Sequence, residues 1–342
     1  MITNIERSCA DYIDIGDIVA ALSWLTPSRI RADCLRLHSQ DLTDAHLRQR
    51  LRDHAPVAGT AGAQNTTGCK MQTRPIPSSD ELLPVIGCGT WRAFDVGSSS
   101  VSRSALIQVL HVLFTAGGSV IDSSPMYGSS EEVVGDLLAA IGARGKTFIA
   151  TKVWTSGRDA GVTQMQRSMT LLQTSRIDLM QVHNLVDWRT HLPTLRAWKA
   201  EGRIRYLGIT HYTPSAYEQL EAVMRAEELD FVQLNYALDD RAAEQRLLPL
   251  AAERGIAVLV NRPFGGGGLL SLLRHRPLPD WAAAIGCTSW AQILLKFVLA
   301  NPAVTCVIPA TSRPQHMTEN VQAGLGIYPD AALCARMIAT LE

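Results

Sequence analysis

The sequence predicts an α/β fold, a (β/α)8 TIM barrel with a non-barrel N-terminal extension, and three observations carry that expectation. From about Met71 onward, eight short, β-rich apolar runs alternate with eight stretches of helical period. Eight such units within roughly 250 residues is the count a barrel requires. The apolar runs lack the strict alternation of a one-sided sheet, which suits parallel strands covered on both faces. A doubly wound open sheet, the other arrangement of such units, would more comfortably carry a GxGxxG turn after its first strand, and none occurs.

The elements follow in order. Val85–Cys88 is the first expected strand and Ala105–Ala116 the first helix. Ser119–Asp122 with Glu131–Ala140, Thr147–Val153 with Val162–Gln173, and Ile177–His183 with Leu192–Lys199 make the next three units. Ile204–Thr210 then pairs with Pro214–Ala226, Phe231–Tyr236 with Ala242–Glu253, and Ile256–Asn261 with Ser289–Leu299. Thr305–Pro309 is the eighth strand. Ser312-Arg313-Pro314 opens a last helix to Ala323, with the proline near its first turn, where the missing N–H costs nothing.

Residues 1–70 read differently from 71–342. Amphipathic helices are expected around Ile15–Trp24 and Thr43–Asp53, and His54–Lys70 is an unpatterned Ala/Gly/Thr/Asn stretch that reads as a linker. The segment is either a small appendage or sequence upstream of a start at Met71, and the second reading is favoured. Its opening residues are polar and acidic, unlike a secretory leader.

Composition limits the function classes. Apolar residues are 46% and charged residues 19%, a globular balance that argues against disorder across the chain. Lys+Arg (32) equals Asp+Glu (32), which argues against a dedicated nucleic-acid binder. The longest uncharged stretches, Trp281–Leu295 and Phe297–Ser312, are broken by polar residues and proline, so no membrane span is expected. The seven cysteines are odd in number, widely spaced and without CxxC, so neither a disulfide framework nor a zinc site is expected, and a reducing cytoplasm is.

Chemistry in a barrel sits at the C-terminal ends of the strands. Asp122 ends the second strand, Lys152 lies in the third and His183 ends the fourth, with Tyr127 in the loop after Asp122. Singly, a strand-end Asp caps a loop, a Tyr packs and a His is a satisfied core residue. Lys152 is harder to dismiss, because burying an unpaired ammonium is costly and only five lysines occur against 27 arginines. Together the four suit reduction of a carbonyl by hydride. Tyr127 would supply the proton, and Lys152 would favour its ionised form. Asp122 would keep Lys152 charged, and His183 would position the substrate oxygen.

The chain from about residue 71 to 330 resembles the aldo-keto reductases. The resemblance rests on Gly87-Cys88-Gly89-Thr90-Trp91, Asp122 with Tyr127-Gly128 and Glu131, Thr151-Lys152 and Val182-His183-Asn184. It continues in Gly202 to Thr210, Gln233-Leu234-Asn235-Tyr236, and Ile308 to Ser312 leading to Glu319-Asn320. It implies that Asp122, Tyr127, Lys152 and His183 form the catalytic tetrad. It also implies that NADPH, less often NADH, lies across the barrel mouth, and that a small carbonyl compound is the substrate.

The resemblance assigns Gly89, Thr90, Trp91, Thr311 and Asn320 to the cofactor, with Gln233 holding the nicotinamide carboxamide. Thr210-His211 stand where the family usually has Ser-Asn, and Asn261 stands where a tyrosine often stacks. Arg262 and the run containing Gly265 and Gly266 suit a pyrophosphate, since glycine lets backbone N–H groups approach it. Ala310 and His316 replace the usual cations for a 2′-phosphate, which leaves Arg313 as the substitute. Trp91, Met126, Tyr127, Trp154 and His183 would line the substrate pocket, and no long C-terminal loop is expected to close it. Two competing readings are a non-catalytic dinucleotide-binding sensor or regulatory subunit on the same fold, and a Schiff-base lyase using Lys152. The lyase needs a depressed lysine pKa, which a paired Asp122 opposes.

Overall fold

A computed structural model describes residues 70–341. The expected N-terminal helices and linker, with Cys9, Cys34 and Cys69, lie outside the described residues.

Ten strands are described: β1 (Thr73–Pro75), β2 (Leu82–Pro84), β3 (Cys88–Gly89), β4 (Val120–Asp122), β5 (Phe148–Val153), β6 (Ile177–Val182), β7 (Ile204–Thr210), β8 (Phe231–Asn235), β9 (Ala257–Asn261) and β10 (Val304–Val307). β3 to β10 pair in sequence order, all parallel. Parallel bridges from Ile86 to Val307 and from Gly89 to Ala310 close the sheet on itself. Glycine is required at that seam, because a Cβ on Gly89 would stand 2.8 Å from the Ile308 carbonyl oxygen.

The helices between strands are α1 (Ser100–Thr115), α2 (Ser130–Ala140), α3 (Arg158–Leu171), α4 (Trp188–Ala200), α5 (Tyr217–Ala226), α6 (Leu247–Arg254), α7 (Gly268–Leu273), α8 (Trp290–Ala300) and α9 (Pro314–Ala323); α10 (Ala331–Ala339) follows. The eight expected units are present, with small shifts of boundary. Ala242–Glu253 divides into a short 3-10 turn at Ala242–Glu244 and α6. The hairpin β1–β2, α7 and α10 go beyond the expected elements. Among the described residues no helix is long and apolar enough to cross a membrane.

Strand alternation separates two apolar layers. Ile121, Ile149, Met180, Leu207, Val232 and Val258 face the helices in the larger cluster. Val120, Phe148, Leu179, Tyr206, Phe231 and Leu259 fill the barrel interior, where Ile76 and Leu83 from the hairpin join them. Phe148, Tyr206 and Phe231 meet with ring centroids 5.6–6.1 Å apart. The Tyr206 hydroxyl, at the wet end of this floor, donates to Glu81 Oε2 at 2.6 Å.

Helix α2 is pressed hard against the end of α3. A Cβ on Gly135 would lie 2.1 Å from the carbonyl oxygen of Leu171, which is backbone and cannot step aside. Gly135→Ala is therefore expected to cost about 1–3 kcal/mol, the range for overpacking. Gly145→Ala, where a Cβ meets nothing within 4 Å, is the control. Thermal melts of both variants check this, and equal melting temperatures would contradict the packing.

Candidate active site

Along five of the barrel strands the inward positions change from apolar at the floor to polar at the C-terminal end. Val120 is followed two residues on by Asp122, Ala150 by Lys152, Leu179 by Gln181, Phe231 by Gln233 and Leu259 by Asn261. Successive side chains on one strand face are two residues apart, so the strand register gathers these polar groups inside the mouth. Lys152 sits opposite Gln181 across one strand pair and Thr210 opposite Gln233 across another.

Lys152 is fully buried. Its ammonium donates to Asp122 Oδ2 at 2.6 Å and to the Ser123 carbonyl at 2.7 Å, and it lies 5.1 Å from the centre of the Tyr127 ring. Burial alone would drive the lysine toward its neutral form. The facing Asp122, then Tyr127, outweighs burial and leaves the pKa raised. The other oxygen of Asp122 accepts from Gln233 Nε2 at 2.9 Å and Gln181 Nε2 at 3.2 Å. Gln233 Oε1 in turn accepts from Asn261 Nδ2 at 3.4 Å.

Tyr127 is carried by a tight turn in which its N–H donates to the Ser124 carbonyl at 3.0 Å. Burial pushes the phenol above its ordinary pKa and Asp122 adds to this, while Lys152 pulls down. The expectation that Lys152 favours the ionised phenol agrees with the direction of its effect. Lys152 acts in that direction, but desolvation is the larger effect, and the resting phenol keeps its proton. The Tyr127 ring meets His183 edge-on at 5.8 Å. Burial first, then Lys152 and His211, lowers the His183 pKa from 6.5 to about 2, so the imidazole is neutral.

Other expected residues fall into local groups. Trp91, Met126 and Trp154 are exposed, with the Trp154 ring 6.5 Å from His183. Gly89 and Thr90 are buried in the wall, and Thr90 Oγ1 contacts the Asp122 carbonyl at 3.0 Å. Thr210 is buried and its Oγ1 accepts the Asn184 N–H at 3.2 Å. His211 Nδ1 accepts the N–H of Tyr212 at 3.1 Å, so this nitrogen is committed to its own turn. Arg262 and the glycine run do come together: a Cβ on Gly266 would lie 2.8 Å from Arg262 Nη2. Thr311 Oγ1 accepts the Arg313 N–H at 3.1 Å, while the Arg313 side chain is exposed and Asn320 is buried on α9. No hydrogen bond or ion pair among the described residues joins the Arg313 side chain to the Lys152 network.

Three contributors are absent from the sequence-based site. Ser124 Oγ lies 3.0 Å from His183 Nδ1. Gln181 supports Asp122, and strand period alone places it inward, two residues beyond Leu179. Glu131, quoted only as a motif residue, is buried and accepts from Thr151 Oγ1 at 2.5 Å and Ser168 Oγ at 3.0 Å. It thereby ties α2 to β5 beside Lys152, and burial raises its pKa. A cavity of about 610 Å3 opens at the opposite, N-terminal end of the barrel, lined by Glu81, Arg144, Asp178 and Arg205 among others. The mouth, where the buried Lys152, Asp122 and His183 converge, is the better candidate for chemistry.

The sequence profile of the Aldo/keto reductase family matches residues 85–330. Methylglyoxal reductase YeaE of Escherichia coli (strain K12) is 27% identical over 251 residues, 71% of this chain and 86% of the relative. The NADH-specific methylglyoxal reductase of the same organism is 27% identical over 333 residues, 80% of this chain and 100% of the relative. Among solved structures, an aldo-keto reductase from Klebsiella pneumoniae in complex with NADPH superposes with a TM-score of 0.68 at 26% identity, covering 80% of this chain and 95% of that one. Another aldo/keto reductase from Klebsiella pneumoniae, in complex with NADP and acetate, gives a TM-score of 0.66 at 27% identity, covering 76% and 92%.

The neutral His183 carries a pH signature. Unfolded, its imidazole takes up a proton below about 6.5; folded, it refuses one until about 2. Between these values the unfolded state binds more protons, so stability falls as pH falls through that window. From pH 6 to pH 4 the wild type should lose stability faster than His183→Gln, by up to about 1 kcal/mol per pH unit. Urea melts along the series check it, and parallel slopes would remove His183 from the acid limb.

Proposed function

The chain belongs to the Aldo/keto reductase family, and on that premise we propose that it reduces an aldehyde or ketone to an alcohol with NAD(P)H, with Tyr127 as proton donor. The observation that carries the reading is the buried Lys152, paired with Asp122 at 2.6 Å and set 5.1 Å from the centre of the Tyr127 ring, close enough for each to act on the other's charge. When bound, the reduced cofactor supplies the hydride that the carbonyl carbon accepts. The oxygen then becomes an alkoxide, a far stronger base than a phenolate, and Tyr127 gives it the proton. Lys152 stabilises the tyrosinate that remains. Asp122 holds Lys152 charged and aimed, and the two glutamine amides hold Asp122. His183 polarises the carbonyl from the side.

Residues at the mouth fit a dinucleotide. Asn261 Nδ2 donates to Gln233 Oε1 at 3.4 Å, and this pair of amides suits a carboxamide at the mouth. Thr210 and His211 flank the same position. Arg262 beside Gly265 and Gly266 suits a pyrophosphate, and Thr311, Arg313 and Asn320 the adenosine end. The Klebsiella pneumoniae proteins hold NADPH and NADP, whereas one Escherichia coli relative is NADH-specific. Both cofactors therefore belong in the proposal, with NADPH favoured. The exposed Trp91, Met126 and Trp154 suit an apolar carbonyl compound, and the methylglyoxal reductases add small aldehydes to the panel. A reducing, cytoplasmic setting is part of the proposal, supported by the buried free thiols Cys88, Cys287 and Cys306.

Two measurements test this reading. Tyr127→Phe should lower turnover about 100-fold or more, as loss of a general acid does, with the cofactor dissociation constant nearly unchanged. Wild-type turnover would remove Tyr127 from the mechanism, and cofactor binding without turnover by the wild type would favour a sensor. Arg313→Ala should weaken NADPH by about 1.5 kcal/mol, the lower end for a hydrogen bond to a charged group, and leave NADH binding unchanged. Equal losses for both cofactors would mean that Arg313 does not meet the 2′-phosphate.

A further inference from the structure

We propose that Ser124 is a positioning residue that fixes the tautomer of His183, so that the imidazole presents an N–H rather than a lone pair to the substrate's carbonyl oxygen. The inference rests on the carbonyl-reducing reading above and adds a residue that acts in it.

Donor and acceptor accounting carries the assignment. Ser124 is fully buried, and its hydroxyl oxygen lies 3.0 Å from His183 Nδ1. That oxygen also accepts the N–H of Met126 at 3.4 Å, within the turn whose Ser124 carbonyl takes the N–H of Tyr127. For the hydroxyl hydrogen itself, Nδ1 is the acceptor the described residues offer. A buried hydroxyl without an acceptor is costly, so the hydrogen points at Nδ1. A neutral imidazole carries one N–H, which must then sit on Nε2.

Nε2 makes no hydrogen bond to a described residue, and it is not among the sealed polar atoms that lack one. It is therefore reachable from solvent, on a ring whose neighbours are the rings of Tyr127 at 5.8 Å and Trp154 at 6.5 Å. The opposite tautomer would set a nitrogen lone pair against the carbonyl oxygen, a repulsive contact. Protonation of both nitrogens is no escape, since burial and Lys152 keep the ring neutral. The choice of tautomer decides whether His183 can donate. The same hydroxyl steadies the turn that carries Tyr127, so one side chain sets both groups that face the substrate oxygen.

The test is a long-range 1H–15N correlation on the full-length protein labelled with 15N-histidine, with His183 assigned by loss of its signals in His183→Gln. In the wild type, Nδ1 should resonate as a hydrogen-bonded pyridine-type nitrogen and Nε2 as a protonated one. In Ser124→Ala, Nδ1 should move toward an unbonded pyridine-type nitrogen. Its kcat for aldehyde reduction should fall about tenfold, the scale of one hydrogen bond, with the NADPH dissociation constant unchanged. Ser124→Thr, which keeps the hydroxyl, should restore both. A proton on Nδ1 in the wild type overturns the proposal, and so does Ser124→Ala with wild-type kcat. If no carbonyl compound is turned over at all, the reductase reading fails in the wild-type assay, while the nitrogen resonances still decide which group donates.

Discussion

The rest of the barrel depends on the need to keep one ammonium charged where water does not reach. Taking Lys152 and Asp122 out of solvent costs several kcal/mol per ion, and their attraction offsets this only when every remaining donor and acceptor is met. Here Lys152 donates to Asp122 and the Ser123 carbonyl with the Tyr127 ring beside it, and Asp122 spends its second oxygen on Gln181 and Gln233. The partners come from β5, β4, β6, β8 and the loop after β4. A slip of one residue in any of these strands would turn the polar group outward into the helix-facing apolar layer. The pair thus makes strand register and site assembly the same problem.

That constraint explains why the interior is graded. Polar groups at the mouth can be satisfied because the next layer down is dry, which strengthens each electrostatic contact. Dryness at the floor comes from Phe148, Tyr206 and Phe231, with Ile76 and Leu83 beneath them. The hairpin β1–β2 therefore matters to the chemistry although it lies at the far end. Glu131 works from outside in a similar way. Its bonds to Thr151 and Ser168 anchor α2 and α3 to the strand that bears Lys152, and the close approach of Gly135 to Leu171 continues that contact.

The eight units and the residues at the strand ends were legible because both follow from local rules. Apolar runs mark strands, and a lysine or aspartate inside such a run stands out. What was not legible depends on curvature or on burial. Strands β1 and β2 have three residues each, and both contain proline, too little for a period to show. Ser124 meets a ring 59 positions away, and no spacing rule brings a loop hydroxyl to the end of another strand. The pull of Lys152 on the Tyr127 phenol is readable from sequence, whereas the burial that outweighs it is not, because sequence names the neighbouring cation but not the depth at which the ring sits. For the cofactor residues, geometry gathers Arg262 with Gly266 and Thr311 with the Arg313 backbone. The sequence could only line these up by strand order.

A proton inventory shows what the arrangement achieves. Lys152 is held charged by Asp122 and His183 is held neutral by burial, so neither changes state readily near neutral pH. Asp122 accepts from three donors, Lys152, Gln181 and Gln233. Glu131, whose pKa burial raises, is occupied by two hydroxyls away from the mouth. The phenol of Tyr127 is left as the group whose proton can move, and it too is held until a strong base forms beside it. A donor that kept its proton less tightly would ionise before the carbonyl carbon had received hydride, and a tyrosinate would then meet the substrate. Burial that opposes Lys152 in the resting site therefore serves the proposed reaction: the proton leaves when an alkoxide appears, and Lys152 is already in place to stabilise the charge left behind.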